Sequence, residues 1–319
     1  MIRYILAVTI GFYFLIKGAN LFVDGISSTA INIKIPKLII SLTLVAFGTS
    51  TPELFISFKS IITENNDIVF ANIIGSTIVN TMLVIGIASI IKPVRIKNET
   101  IKKQLPLHLI IIAAFAILFL DEIFNHTANT ITRMDAILLL LLFSSFLIYI
   151  YKFQKKNNLH NQTMNNATAK WPLSKSIIFS IIGLILIYYG SSIAVDNCVN
   201  IANALHINQK LITMVVLVIG TSTPEIAMAI SAAKKNEHDI IIGNIIGTNI
   251  FNIGFVLGLP ILILGDVSSS SFNFADMFVM VVSAFIIYLF AKDDKKIDKT
   301  EGIIMIMIFI IYYAYLFII

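Results

Sequence analysis

The sequence predicts an all-α integral membrane protein with ten transmembrane helices, arranged as two inverted five-helix repeats with discontinuous helices at the centre. Three observations predict this fold. Of the 319 residues, 57% are hydrophobic and only 13% are charged. Apolar runs of 18 or more residues, the length that spans a bilayer, follow one another along the chain. One polar motif occurs twice, each time in the middle of such a run.

The apolar runs divide the chain into ten predicted spans. The second, third, seventh and eighth contain polar motifs, whereas the fourth, fifth, ninth and tenth are almost purely apolar and are expected to form a scaffold. An apolar run predicts that a helix is present more precisely than it predicts the residues at which the helix begins and ends. The spans cover about residues 2–22, 38–63, 68–91, 105–121, 134–151, 173–194, 209–235, 239–264, 274–291 and 302–318.

Composition excludes several classes of protein. A mean hydropathy of +0.90 is incompatible with an ordinary soluble domain. The formal net charge of +5 does not indicate a nucleic-acid partner, because the lysines cluster in short loops. The single cysteine, Cys198, cannot form an intrachain disulfide. The first apolar run lacks a small-residue cleavage site, so we expect a retained helix rather than a signal peptide.

Lysine and arginine predict the orientation in the membrane. When alternate loops are assigned to one side, most of the 23 basic residues fall on that side, which should be cytoplasmic. This places the central loop, residues 152–172, in the cytoplasm and both termini outside, in a multi-pass protein of the cell membrane.

The repeated motif is Gly48-Thr-Ser-Thr-Pro-Glu53, and again Gly220-Thr-Ser-Thr-Pro-Glu225. A carboxylate in mid-membrane is costly, by roughly 2.5–3.5 kcal/mol on insertion scales. Glycine and proline weaken the helix at the same place, and an unwound turn frees carbonyl oxygens that need a partner. We therefore interpret each motif as a break in a transmembrane helix that presents oxygens to a cation. The alternative is a helix start, because Ser50 and Glu53 match a capping box.

The two halves align without a gap at a constant shift of 172 residues. This predicts a first repeat over residues 1–151, a linker over 152–172 and a second repeat over 173–319, with motif regions at 48–80 and 220–252. Because each half has five spans, an odd number, the second half must enter from the opposite side. Transporters built this way bind their substrate near the midplane.

A second motif follows in each half: Asn72-Ile-Ile-Gly-Ser76 leads to Asn80, and Asn244-Ile-Ile-Gly-Thr248 leads to Asn252. Residues four apart share a helix face, so each hydroxyl should lie beside its asparagine. Taken alone, Ser76 and Thr248 could instead form hydrogen bonds between helices without any ligand.

Together these residues form a site whose ligands are all oxygens. Such a site suits hard cations, and Ca²⁺ in particular takes six to eight oxygen ligands. There is no cluster of cysteine and histidine, which argues against zinc and copper, and we expect surface positions for the five histidines, His108 among them. A doubly charged empty site should resist crossing the membrane, whereas a filled site can cross, which is the requirement for exchange rather than a leak.

These motifs are similar to those of the sodium/calcium exchanger family, in the calcium/cation antiporter superfamily, over the whole chain. The resemblance implies alternating access, with Na⁺ or H⁺ uptake coupled to Ca²⁺ efflux and no cofactor. It implies that Glu53 and Glu225 are the central Ca²⁺ ligands, shared with Na⁺. It further implies backbone carbonyl ligands at Thr49 and Thr221, flanking sodium sites at Ser50, Ser222, Ser76 and Thr248, and central positions for Asn80 and Asn252. Members of the potassium-dependent branch carry aspartate where Asn252 stands, which argues against potassium co-transport.

Three alternatives remain open at this point. The first is a Ca²⁺/H⁺ exchanger of the same superfamily, since glutamates can carry protons. The second is a cation channel, although two buried acids in a repeat fit poorly with a wide pore. The third is an intramembrane enzyme, for which we find no metal motif and no Ser/His pair. We expect a non-enzymatic transporter that functions as a monomer in the lipid bilayer and moves Ca²⁺ and Na⁺. The repeat-related pair Asp24 and Asp196 is expected at a helix end or interface, with an ion entry path as the alternative.

Overall fold

The computed structural model describes residues 2–33, 37–121, 128–156, 169–234 and 236–318, and in these ranges the chain is almost entirely helical. Each predicted span overlaps a helical segment. The first half contains α1 (Ile2–Asn32), α2 (Lys37–Ile62), α3 (Asn66–Ile78), π1 (Val79–Val84), α4 (Ile85–Ile91), π2 (Thr100–Gln104), α5 (Leu105–Phe119) and α6 (Arg133–Lys156). The second half contains α7 (Leu173–Leu205), α8 (Gln209–Ile212), π3 (Thr213–Val218), α9 (Ile219–Thr221), α10 (Thr223–Lys234), α11 (His238–Phe251), π4 (Asn252–Leu257), α12 (Gly258–Leu264), α13 (Phe274–Asp294) and α14 (Lys299–Leu316).

The helices confirm a multi-pass helical membrane protein. Within the described ranges, 8 helices are long and apolar enough to cross a bilayer, and a ninth span results if the bent pair Gln209–Thr221 and Thr223–Lys234 is counted as one. The count of ten therefore stays a prediction. Most of the predicted central loop, residues 157–168, lies outside the described residues.

Burial separates the motif helices from the scaffold. Of the most apolar stretch of each span, 94% is buried in Asn66–Ile91 and 78% in His238–Leu264, against 22–39% in the other spans. The two helices that carry the asparagine motifs therefore lie at the centre of the protein. The apolar spans surround them and face lipid, as expected from their lack of polar residues.

The predicted helix break is present in one half and absent from the other. In the second half the helix is interrupted at Ser222, and the flanking segments meet at 44°. In the first half α2 continues through the motif with Pro52 inside it, so the prediction of an interruption there was wrong. Proline removes one helical hydrogen bond, but transmembrane helices tolerate this where neighbouring groups satisfy the freed carbonyl.

Helices α1 and α7 extend beyond their predicted ends at residues 22 and 194, to Asn32 and Leu205. The prediction stopped where the polar residues Asp24 and Asp196 begin. Both are paired in the structure, because Lys170 Nζ lies 2.5 Å from Asp24 Oδ2 and Lys59 Nζ lies 3.3 Å from Asp196 Oδ1. Each aspartate therefore forms an exposed ion pair with a lysine from another segment of the chain.

A seam of glycines brings α1 and α7 into backbone contact. Gly11, Gly18 and Gly25 of α1 recur every seven residues; Gly11 faces Gly190 of α7, Gly18 faces Gly183, and Gly25 faces Ser176 and Ser180. A Cβ atom on Gly18 would lie 2.8 Å from the Gly183 carbonyl oxygen, and one on Gly183 would lie 2.5 Å from the Phe22 amide nitrogen. Small residues permit such close approach between helices in a membrane.

The Gly183→Ala variant should be destabilised by about 1–3 kcal/mol, because its new methyl group meets backbone atoms that can move only if the two helices separate. The matched control is Gly243→Ala, since a Cβ there meets nothing within 4 Å. That variant should be neutral or slightly stabilised, because alanine favours a helix more than glycine does. Thermal unfolding of the purified variants in detergent measures the difference. Equal melting temperatures would contradict the close packing of α1 against α7 at these glycines.

Two short antiparallel pairs connect the halves. Strand β1 (Val94–Arg95) of the first half pairs with β4 (Lys296–Ile297) of the second, and β2 (Asn129–Ile131) pairs with β3 (Val267–Ser269). In both pairs, the strand that follows a motif helix of one half meets the strand that precedes the last helix of the other. A two-fold relation between the halves produces this reciprocal pattern.

Candidate functional site

The two motif glutamates are both buried, and their carboxyl groups interact electrostatically. Glu53 of α2 and Glu225 of α10 are only 2% and 1% exposed. Their carboxyl groups lie within electrostatic range of each other, and the Thr221 side chain lies within hydrogen-bonding range of the Glu53 carboxyl group. Two like charges in a buried position repel each other unless a cation or protons neutralise them. The two copies of the motif therefore contribute to one candidate site, one copy from each half of the chain.

The other predicted residues lie on or beside the same motif helices. The structure does not describe the Thr49 side chain, although its backbone lies within α2. Asn252 Nδ2 donates to Ser76 Oγ at 3.4 Å, a contact that joins the two halves, and the Ser76 hydroxyl donates to the Asn72 carbonyl oxygen. The remaining predicted side chains are buried: Ser50, Ser76, Asn80, Thr221, Ser222, Thr248 and Asn252.

Several oxygens of these residues have no hydrogen-bond partner in the described part of the chain. Buried polar groups in proteins are nearly always hydrogen-bonded, so a cluster of exceptions requires an explanation. All of them are acceptors or hydroxyl oxygens, which are the atoms that a hard cation prefers. They are Glu53 Oε2, Ser50 Oγ, Asn80 Oδ1, Thr248 Oγ1 and Asn252 Oδ1.

Asn72 connects α3 to the backbone of α2 at Glu53, a role that the sequence did not predict. Its Nδ2 donates to the Glu53 carbonyl oxygen at 3.1 Å and to Ser57 Oγ at 3.4 Å, which ties α3 to α2 at the glutamate. Its repeat counterpart Asn244 makes no such bond within the described residues. The repetition of this asparagine in both motifs was a signal that could have identified it.

His108 contradicts the predicted surface position, because it is fully buried in α5. Its Nε2 lies 3.2 Å from Asn249 Nδ2, and Asn249 Oδ1 accepts a hydrogen bond from Asn80 Nδ2 at 3.0 Å. The prediction failed because an apolar span carries no sign of which face packs inward. A lone polar residue inside that span was the available signal.

Both site asparagines lie in π-helical turns, which the sequence did not predict. Asn80 lies in π1 and Asn252 begins π4. Such turns widen a helix locally, and they occur frequently at functional sites. No residue type marks them, so only the backbone reveals them.

A helical membrane protein whose two halves both contribute buried carboxyl, hydroxyl and amide oxygens to one central site belongs to the class of cation transporters. The family model described as "sodium/calcium exchanger protein" matches residues 3–152 and 175–318. The chain belongs to the sodium/calcium exchanger family. It is therefore a cation antiporter, and this family consists of transporters rather than enzymes.

Individual relatives cover nearly the whole chain. The sodium/calcium exchanger MaX1 of Methanosarcina acetivorans is 28% identical over 348 residues, with 98% of each chain covered. The inner membrane protein YrbG of Escherichia coli is 29% identical over 316 residues, covering 97% of this chain and 95% of its own. Among solved structures, the sodium-calcium exchanger NCX_Mj soaked with Na⁺ and Sr²⁺ matches with a TM-score of 0.64 at 29% identity, with 98% of each chain covered.

Proposed function

We propose that the protein exchanges Ca²⁺ for Na⁺ across the cell membrane by alternating access. One observation carries the proposal: Glu53 and Glu225, one from each half, lie together in a buried site among oxygens that lack hydrogen-bond partners in the described residues. Two carboxylates balance the charge of one divalent ion or of monovalent ions that replace it. The names of the relatives MaX1 and NCX_Mj support the same pair of ions.

In this proposal Glu53 and Glu225 ligate Ca²⁺ and, in its absence, Na⁺. The backbone carbonyls of Thr49 and Thr221 are further Ca²⁺ ligands. Asn80 and Asn252 line the centre through their amide oxygens. The flanking Na⁺ sites are formed by Ser50, Ser222, Ser76 and Thr248.

The membrane arrangement is part of the proposal. The excess of lysine and arginine in alternate loops supports a cytoplasmic central loop and termini outside the cell. Because both glutamates come from a single chain, one copy supplies a complete site, which supports function as a monomer.

Radiolabelled Ca²⁺ uptake by liposomes that contain the purified full chain tests the coupling ion. The liposomes receive an outward gradient of Na⁺, K⁺ or H⁺, one at a time, with the membrane potential clamped at zero. We expect saturable uptake with the Na⁺ gradient alone, and uptake should stop when an ionophore dissipates that gradient. Asn252 predicts no requirement for K⁺.

The other possible results would each indicate a different class of transporter. Uptake driven by the H⁺ gradient without Na⁺ would establish the Ca²⁺/H⁺ exchanger instead. Uptake that does not saturate and needs no counter-ion would indicate a channel. Liposomes without protein provide the background rate.

A further inference from the structure

A chain of three buried polar side chains connects the candidate ion site to the scaffold. Asn80 Nδ2 donates to Asn249 Oδ1 at 3.0 Å, and Asn249 Nδ2 lies 3.2 Å from His108 Nε2. Exposure is 1% for Asn80 and 0% for the other two. We call these three residues the amide relay. It spans π1 of the first half, α11 of the second half and α5 of the scaffold.

The relay fixes which end of the Asn80 amide faces the site. Because its nitrogen is bonded to Asn249, its oxygen points elsewhere, and Oδ1 has no hydrogen-bond partner among the described residues. The Asn252 amide is oriented in the same way by a different partner. Its nitrogen donates to Ser76 Oγ, and its Oδ1 likewise lacks a partner among the described residues. An amide oxygen can ligate a cation, whereas an amide NH₂ group repels one.

The direction of the relay depends on His108. Asn249 Nδ2 can only donate, so in this arrangement His108 Nε2 accepts, and the proton of the neutral imidazole lies on Nδ1, which has no hydrogen-bond partner among the described residues. With the proton on Nε2, His108 would donate to Asn249 Oδ1 instead. Asn249 would turn over and donate to Asn80 Oδ1, and the Asn80 NH₂ group would face the ion. One tautomer of one histidine therefore determines the orientation of two amides.

The relay reaches only one of the two site asparagines, Asn80. At the shift of 172 residues, Asn249 corresponds to Thr77 and His108 to Met280. The Thr77 hydroxyl donates to the Ile73 carbonyl oxygen at 2.8 Å, within its own helix. The second half therefore has no path from its asparagine to a scaffold histidine, so the arrangement around Asn80 is not a by-product of the repeat.

We propose that His108 is a positioning residue: through Asn249 it holds the Asn80 amide with its oxygen toward the transported cation, and so sets the affinity for Ca²⁺. The inference rests on the proposed function, because it assigns the cation to that site. It adds a scaffold residue, outside both sequence motifs, to the determinants of ion binding.

A double-mutant cycle in reconstituted full-length protein tests the proposal. Initial rates of Na⁺-driven Ca²⁺ uptake are measured against Ca²⁺ concentration for His108→Leu, Asn80→Ala and the double variant. His108→Leu removes the acceptor and should raise the apparent KM for Ca²⁺ roughly tenfold, the upper range for one buried hydrogen bond. In the Asn80→Ala background the same change should have an effect of less than about twofold, because coupled residues are not additive.

Two further variants separate positioning from general damage. His108→Gln keeps an acceptor on this helix and should stay within about threefold of the unmodified KM. Ile112→Ala, a buried apolar change one turn along α5, should lower the yield of folded protein without changing KM. An unchanged KM in His108→Leu would overturn the proposal. So would an increase in KM that is the same in the unmodified background and in the Asn80→Ala background.

The tautomer gives a test that does not depend on transport. Nitrogen NMR of the full chain with labelled histidine should show a neutral imidazole protonated on Nδ1, assigned by its loss in His108→Leu. Asn249→Leu should shift this signal, since it removes the donor to Nε2. A proton on Nε2 would refute the relay even if Ca²⁺ exchange is normal, whereas absent uptake by the unmodified protein would refute the proposed function instead.

Discussion

Glu53→Gln and Glu225→Gln, made separately, should each lower the initial rate of Na⁺-driven Ca²⁺ uptake at least about 100-fold, equivalent to about 2.7 kcal/mol. Each change keeps the shape of the side chain and removes one negative charge. A single remaining carboxylate cannot neutralise a divalent ion in a buried site, where charges interact more strongly than in water. The two glutamates interact electrostatically, so both variants should be affected to a similar degree.

The control for this pair is Glu99→Gln, the same replacement at an exposed position. It should exchange Ca²⁺ at the normal rate. Size-exclusion profiles and melting temperatures should show that both site variants remain folded, since each removes one of two like charges and so relieves their repulsion. Normal exchange in both site variants would remove the basis of the proposed function.

Lys210→Met should lower the free energy of unfolding by about 3–5 kcal/mol, because it leaves the buried Asp276 carboxylate without its cation. Lys210 Nζ lies 2.6 Å from Asp276 Oδ2, and the Asp276 side chain is fully buried. Lys210 Nζ also donates to the Ser271 carbonyl oxygen at 3.0 Å, and Tyr312 donates to Asp276 Oδ1 at 2.8 Å. This network ties the start of α8 to α13 and α14.

Thermal unfolding in detergent measures this loss against Lys97→Met, which breaks the exposed pair of Lys97 and Asp239, 2.6 Å apart. The control should lose no more than about 1 kcal/mol, the usual value for a surface pair. The double variant Lys210→Met with Asp276→Leu should recover part of the loss, because it removes the unpaired charge as well. Equal melting temperatures for Lys210→Met and the control would show that the buried pair does not hold these helices together.

Residues whose role follows from their own type were predictable from the sequence. Glu53 and Glu225 are costly in a membrane wherever the fold places them, and their repetition identified them as a pair. Residues whose role depends on a neighbour were not predictable. His108 and Lys210 look like ordinary loop or helix-end residues until Asn249 and Asp276 are placed beside them.

The sequence by itself determined the membrane class, the helical segments and the acids of the candidate site. Hydrophobicity and charge are properties of each residue, so the apolar runs and the repeated acids can be read directly along the chain. Only the tertiary structure decided that α2 continues through its proline while the second motif helix breaks at Ser222. It also decided which asparagine atoms face the site, through the contacts Asn80–Asn249–His108 and Asn252–Ser76. These choices depend on hydrogen bonds between distant segments, and a one-dimensional pattern contains no information about which partners meet.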